Sequence, residues 1–301
     1  MNNEIKRILP TGDLAFKKVL ATIGNEDILE GLVNDFFGFS PKGIIITNPY
    51  DIKVYENILK NTGGNYSKLK ETLNDVGAQM ANGDFIAEMQ VRKQNYYGAR
   101  SIFYLCSAFC RNYTRCENAY SDLRCIYALN ILKESYFRDA HPVRIFHLFD
   151  DYANISMDKE YLTVGYFELA KQGLLRNKHQ EYWQMYFLGK TLPLEAPEYI
   201  RRAERIIEVA NLKKEERDML TLEEKYKADQ QAYFDTAMSD GRLQGLEEGR
   251  EQGLEQGLEQ GLEQGLEQGV LMVAQNMKEG GISADQISIF TGLPLEAIAA
   301  L

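Results

Sequence analysis

Histidine is scarce: His141, His147 and His179 are the three in 301 residues, so acid–base or metal chemistry has to rest on carboxylates rather than imidazole. The four cysteines, Cys106, Cys110, Cys116 and Cys125, crowd into one region without a CxxC pair, which argues for reduced core thiols over a metal site. Long apolar runs are missing too. "SIFYLCSAFC" (101 to 110) is too short, and too closely flanked by Arg100 and Arg111, to span a bilayer, and "MNNEIKRILP" lacks the apolar core of a signal peptide. A soluble, cytoplasmic protein without a membrane partner is expected. Positive charge is also in deficit: 34 Lys and Arg against 44 Asp and Glu leave a net charge of −10, which argues against a protein that coats nucleic acid non-specifically. A nuclease remains compatible with that balance. Arg92, Lys93, Arg100, Arg111, Arg115 and Arg124 form a locally basic region, and a bound divalent ion would offset the average.

What is present, 45% hydrophobic and 26% charged residues, is ordinary globular material. "TGDLAFKKVLATIG", with Thr11 as its cap, and "NEDILEGLVNDFFG" predict two amphipathic helices. "GIIIT" and "YDIKVYENI" are short β-branched runs, followed by the loop "KNTGGNYSK". "YYGARSIFYLCSAFCRNY" is apolar nearly all round and predicts a buried helix, and "RCIYALNIL" a buried strand. The resulting order is α, β, β, β, α, β, a mixed α/β class. "VRIFHLFD" and "LTVGYFELA" are further strand candidates, the second at a sheet edge, and "NKHQEYWQMYFLG" to "QAYFDTAMSD" is helical with a break at Pro193 and Pro197.

Four segments are expected: a core domain over 1–190, a helical extension over 191–240, a glycine-periodic repeat over 241–269 and a small helical unit over 270–301. "GLEQ" recurs in register from 253 to 268, so Leu254, Leu258, Leu262 and Leu266 form a stripe drifting by about 40° per repeat. Each interior glycine costs roughly 1 kcal/mol against alanine. Two readings stand side by side, a semi-flexible linker and a helix that self-associates through residues 241–301. The closing segment has the outline of a helix-turn-helix, yet "ADQISIF" offers no Arg or Lys to bases or phosphates, so a capping or dimerising hairpin is equally compatible.

The stretch with chemistry in it is "NDVGAQMANGDFIAEMQV" (74 to 91). With Asn82-Gly83 as a hairpin turn, positions whose numbers sum to 165 face each other. Asp75, Gly77 and Gln79 then share a face with Ile86, Glu88 and Gln90, while Val76, Ala78, Met80, Phe85, Ala87, Met89 and Val91 point inward. Gln90 sits opposite Asp75, Glu88 lies diagonal to it, and Gly77 opposite Glu88 leaves room. Two carboxylates and an amide without nearby sulfur or imidazole suit Mg²⁺ or Mn²⁺. A solvent-facing strand with ordinary polar positions is the other reading.

The pattern D-x(12)-E-x-Q in that element order resembles the PD-(D/E)xK nuclease superfamily. Its wider likeness is to the Rpn family of recombination-promoting nucleases, a transposase group, through "DLAFKKVL", "LNDV", "AEMQV", "ARSIFYLCSAF", "IYALNIL" and "YFELAK", with the glycine-periodic tail and "GGISADQISIFTGLPLEAIAAL". The resemblance implies a restriction-endonuclease-like core, a Mg²⁺-dependent DNA endonuclease (deoxyribonuclease) activity linked to recombination or transposition, and DNA as partner. It makes Asp75 and Glu88 metal ligands with the Met89 carbonyl as a third, and places Gln90 where the usual lysine would orient water. An amide positions water but supplies no positive charge. Asp13 is the implied additional catalytic acid, or else a first-turn carboxylate favoured by the helix dipole. Lys17 and Arg100 are candidate phosphate contacts, Arg100 alternatively the partner of a carboxylate. A catalytically weak descendant acting in oligomeric interaction or DNA tethering is the second functional expectation.

Overall fold

A computed structural model describes residues 7–66, 75–92, 95–113, 120–153, 155–157 and 159–301, without the side chains of Asp75 and Tyr113. Lys93, Arg115 and Cys116 lie outside the described residues, as does the side chain of Asp75. The chain divides into two compact units, Met1–Tyr226 and Lys227–Leu301.

In the first unit, helices α1 (Asp13–Leu20) and α2 (Glu26–Phe37) precede a two-residue strand β1 (Ile45–Ile46) and helix α3 (Ile52–Asn61). The expected Thr11 cap is not used: Gly12 is the N-cap of α1, and the first helical N–H, that of Asp13, donates to the Glu223 carboxylate at 3.2 Å. Helix α3 corrects a second expectation. Its β-branched residues look extended locally, but the Asp51 side chain accepts from the Lys53 N–H, and Ile52, Tyr55, Ile58 and Leu59 recur at helical spacing against one cluster.

The sheet that follows contains β2 (Asp75–Met80), β3 (Gly83–Gln90), β4 (Ile126–Leu132), β5 (Val143–His147) and β8 (Leu162–Glu168), in the order β1-β2-β3-β4-β8-β5. β3, β4 and β8 run parallel, whereas β1, β2 and β5 join antiparallel. β8 is therefore internal, not an edge as expected, and β5 takes the edge. A separate small pair, β6 (Phe149–Asp150) and β7 (Ile155–Ser156), follows β5.

Alternation decides what each face does. Val76, Ala78, Met80, Phe85 and Ala87 are buried as expected, together with Leu129, Ile131 and Phe167, against α1, α2 and the later helices α5 (Lys178–Phe187) and α6 (Glu198–Ile206). Each fully buried Val, Leu, Ile, Met or Phe among them contributes roughly 1.5–3 kcal/mol. These helices share one polar hub: the Asp35 carboxylate accepts from Trp183 Nε1 at 2.9 Å and Tyr199 Oη at 2.7 Å, with His179 Nδ1 at 2.8 Å.

On the opposite face, α4 (Tyr97–Tyr113) packs Tyr97, Leu105 and Ala108 over Ile126, Ala128, Leu132, Val164 and Tyr166. It covers the β4–β8 half and leaves the β2–β3 half open. The expectation of a buried helix is corrected: Ile102, Phe103 and Tyr104 are exposed, as are Cys106 and Cys110, and among the described cysteines only Cys125 is buried. An apolar run at helical length cannot by itself tell an inward from an outward face.

Helix α7 (Lys214–Glu279) carries the GLEQ repeat, and the repeat is helical throughout. Within the second unit, α8 (Ala284–Thr291) and α9 (Leu295–Ala300) close a small core of Ala274, Ile287 and Ile298. Residues 227–301 hold 13 acidic and 4 basic side chains, leaving 31 and 30 for the rest, so nearly all of the net negative charge belongs to this unit.

Candidate active site

The β2–β3 hairpin pairs Met80 with Gly83 and Asp75 with Glu88, so facing positions sum to 163 and the turn is Ala81-Asn82. The turn thus lies one position before the expected Asn82-Gly83, which shifts every cross-strand partner by two positions. Neither Ala81 nor Asn82 adopts the positive φ that a type I′ turn demands. Gly83 is instead the first strand residue, drawn so close to β4 that an added Cβ would lie 2.6 Å from the Cys125 carbonyl oxygen, while the Asp84 N–H donates to that oxygen at 2.8 Å. Arg124 clasps the turn from the same side, donating to the carbonyls of Met80 and Gly83 and pairing with Asp84 at 2.9 Å.

Because side chains alternate with period two, a two-position shift keeps every residue on its expected face. What changes is who faces whom. Asp75 stands directly opposite Glu88 instead of Gln90, and Gly77 opposite Ile86. The Thr47 N–H donates to the Gly77 carbonyl at 2.9 Å and the Gly77 N–H donates to Asn48 Oδ1 at 2.8 Å, so odd-numbered β2 groups turn toward β1. Asp75–Glu88 is therefore a non-hydrogen-bonded pair, the closer kind, with Cα atoms about 4.5 Å apart. On β3 the even-numbered groups serve β4, as Lys133 N–H to Gln90 carbonyl shows at 3.0 Å, which turns the Met89 carbonyl toward the β2 side. Gly77 does not leave open room: an added Cβ would meet Thr47 Oγ1 at 2.6 Å.

Glu88, its side chain 11% exposed, forms an ion pair with Arg100 of α4. The guanidinium also lies over the rings of Tyr97 and Tyr104, at 5.8 and 5.4 Å from their centroids. Burial works to lower the Arg100 pKa, but Glu88 and the two tyrosines outweigh it and the net direction is upward, so the cation is secure. α4 is held rigidly beneath it. Tyr97 Oη donates to Asn130 Oδ1 at 2.9 Å, Asn130 Nδ2 donates to the Gly165 carbonyl at 3.1 Å, and Ser101 bonds Tyr166.

A cleft of about 360 Å³ opens above this pair, lined among others by Thr47, Asn48, Gly77, Glu88, Tyr104 and Arg111. A smaller hollow of about 80 Å³ continues it past Asp84 and Asn112. Arg100 and Arg111 are eleven residues apart on one helix, nearly in phase and about 16 Å apart along its axis. At the end of β3, Gln90 Nε2 donates to the Arg92 carbonyl at 2.7 Å.

Two expected residues lie elsewhere. Asp13 opens α1, where its N–H meets Glu223, and it is not among the residues lining the cleft. Lys17 is 1% exposed, which corrects its expected role as a phosphate contact: its ammonium has no access to a ligand in solvent. Sequence reasoning missed Thr47, Asn48, Tyr104 and Asn130. The in-phase spacing of Arg100, Tyr104 and Arg111 was a usable signal for the helix, but the pairing of Asn130 with Glu88 across parallel strands depends on packing far away in sequence.

No helix among the described residues is long and apolar enough to cross a membrane. A family model described as PD-(D/E)XK nuclease family transposase matches residues 10–237, and the chain belongs to that family. Comparison with curated proteins and with solved structures gives no match.

Proposed function

We propose that this PD-(D/E)XK chain hydrolyses DNA phosphodiester bonds with a divalent ion, Mg²⁺ or Mn²⁺, held at the Asp75–Glu88 end of the hairpin. The observation that supports it is the direct pairing of those two residues in register, with the Glu88 carboxylate facing an open cleft and a cation beside it. The donors fit such an ion: carboxylates and the Met89 carbonyl form a hard oxygen set, and Mg²⁺ commonly takes one or two carboxylates and leaves its other positions to water and phosphate. When bound, a divalent ion acts as a Lewis acid at the phosphate and makes water a better nucleophile.

The chain's own residues supply the rest. Arg100, delivered from α4 rather than from β3, provides the positive charge that Gln90 cannot, close to the phosphoryl oxygens where charge develops. Gln90 orients water through its amide. Arg111 holds the DNA backbone at the far end of the cleft. The activity serves transposition or recombination in the cytoplasm, with self-association through the second unit. The alternative, a weak or inactive descendant that tethers DNA or partners, is favoured by one observation, the engagement of the Gln90 amide with the Arg92 carbonyl.

Plasmid nicking in Mg²⁺ decides between them. Wild-type protein should nick or linearise the plasmid, with Asp75→Ala and Glu88→Gln both inert. Equal cleavage by all three, or none by any, overturns the proposal.

A further inference from the structure

We propose that the outer rim of α4 binds unpaired nucleotides of the DNA, stacking their bases on Tyr96 and Phe103; this rests on the DNA-hydrolysis reading. Tyr96 is the one non-glycine residue with positive φ among the described residues, at 65°. A bulky side chain in the left-handed region is disfavoured, and glycine would sit there without penalty. The ring is nonetheless 86% exposed, so no packing inside the fold repays that conformation. Phe103 is 67% exposed, and Tyr104, 40% exposed, touches it with ring centroids 5.9 Å apart.

Placement ties these rings to the cleft. The Arg100 N–H donates to the Tyr96 carbonyl at 3.1 Å, so Tyr96 stands immediately before the first turn of α4 and is joined to it by a hydrogen bond, with Phe103 three residues beyond Arg100 on that helix. Along the chain the two aromatic residues thus lie on either side of the arginine that pairs with Glu88, and Phe103 touches Tyr104, whose ring that arginine covers. Arg100 and Arg111 along the same helix complement the charge of a phosphate backbone crossing the cleft. In a duplex, base faces are covered by their neighbours. Exposed rings beside a line of cations suit bases that are already unstacked, as in a single strand, a flap or a distorted junction.

The test measures binding by the full-length protein of a fluorescein-labelled single strand and of its blunt duplex, in Ca²⁺ to limit cleavage. The expected result is tighter binding of the single strand, with Tyr96→Ala and Phe103→Ala each weakening it on the order of tenfold while duplex affinity stays within about twofold. Tyr96→Phe should bind like the wild type. Tyr96→Gly separates stacking from folding: it relieves the positive φ and should raise the melting temperature while losing single-strand affinity. Equal losses on both DNAs, or unchanged single-strand binding in the variants, overturns this inference and leaves the nuclease reading standing. Failure of the wild type to bind either DNA overturns both.

Discussion

Arg100 and Glu88 form an ion pair across the gap between α4 and β3, and Glu88 lines a cleft together with Thr47, Asn48 and Gly77. The pair gives Glu88 a cationic partner before any ligand arrives, so an incoming divalent ion must share that carboxylate with the guanidinium. Arg100→Gln should therefore bind Mn²⁺ severalfold more tightly, as read by calorimetry, and yet cleave DNA about 10²–10³ times more slowly, the usual loss when one electrostatic donor is removed. Weaker ion binding together with unchanged cleavage would refute the role given to Arg100.

Gln90 provides the complementary experiment. If the positive charge comes from α4, restoring the superfamily's lysine at position 90 adds little, and Gln90→Lys should change the cleavage rate less than about threefold, against roughly a hundredfold or more for losing a needed donor. A hundredfold gain in plasmid cleavage would show that the site lacks a charge Arg100 does not supply.

Gly77 and Thr47 test the geometry of the cleft wall. The Thr47 N–H bond to the Gly77 carbonyl and the Gly77 N–H bond to Asn48 Oδ1 hold residues 47 and 77 in place, so a methyl group on residue 77 must displace the Thr47 hydroxyl. Gly77→Ala should destabilise by about 1–3 kcal/mol, measured as a lowered urea midpoint. Thr47→Ala in the same chain should recover most of it, an interaction a double-mutant cycle isolates.

Acid stability should depend on Glu216, in the first turn of α7. Its carboxylate accepts from Lys18 Nζ at 2.6 Å, the Lys213 N–H at 2.8 Å and Tyr50 Oη at 2.9 Å. Burial works to raise its pKa, the three donors outweigh burial, and the net direction is downward. A carboxyl group with a depressed folded pKa stabilises above its unfolded value of about 4.3, and that contribution disappears as pH falls through the folded value. Glu216→Gln should cost on the order of 3 kcal/mol at pH 7. The gap to wild type should narrow as the pH falls below about 5, in denaturant titrations at each pH across the acid range. A gap constant over that window would remove Glu216 from the acid response.

The residues explain why part of this was legible in sequence. The inward face of the hairpin followed from alternation alone, since Val76, Ala78, Met80, Phe85 and Ala87 have no other place to bury their surface. The register did not. It is set by Gly83 lying against Cys125 and by Arg124 gripping the turn, contacts some forty residues away that no local turn rule contains. α3 shows the same limit from the other side, its β-branched residues overruled by a cap and a helical apolar stripe. Arg100 was visible as a basic residue on a helix; its choice of Glu88 over phosphate depends on how α4 crosses the sheet.

The GLEQ helix gives the last prediction. Leu254, Leu258, Leu262 and Leu266 are each about two-thirds exposed, and a Cβ added at Gly253, Gly257, Gly261 or Gly265 would meet nothing within 4 Å. Within one chain, then, alanine at the four glycines should only strengthen the helix, by about 1 kcal/mol per site, and raise its helical circular dichroism. A period of four exceeds 3.6, so the leucine stripe winds right-handed and two copies can share it only over a short, steeply crossed contact. In such a contact the glycines allow the backbones to approach, and the four alanines should lower the solution mass to that of a monomer even as helicity rises. Replacing the four leucines by glutamine should do the same. An oligomer that survives both changes, measured by light scattering, would mean that the repeat is a spacer and that any self-association resides elsewhere.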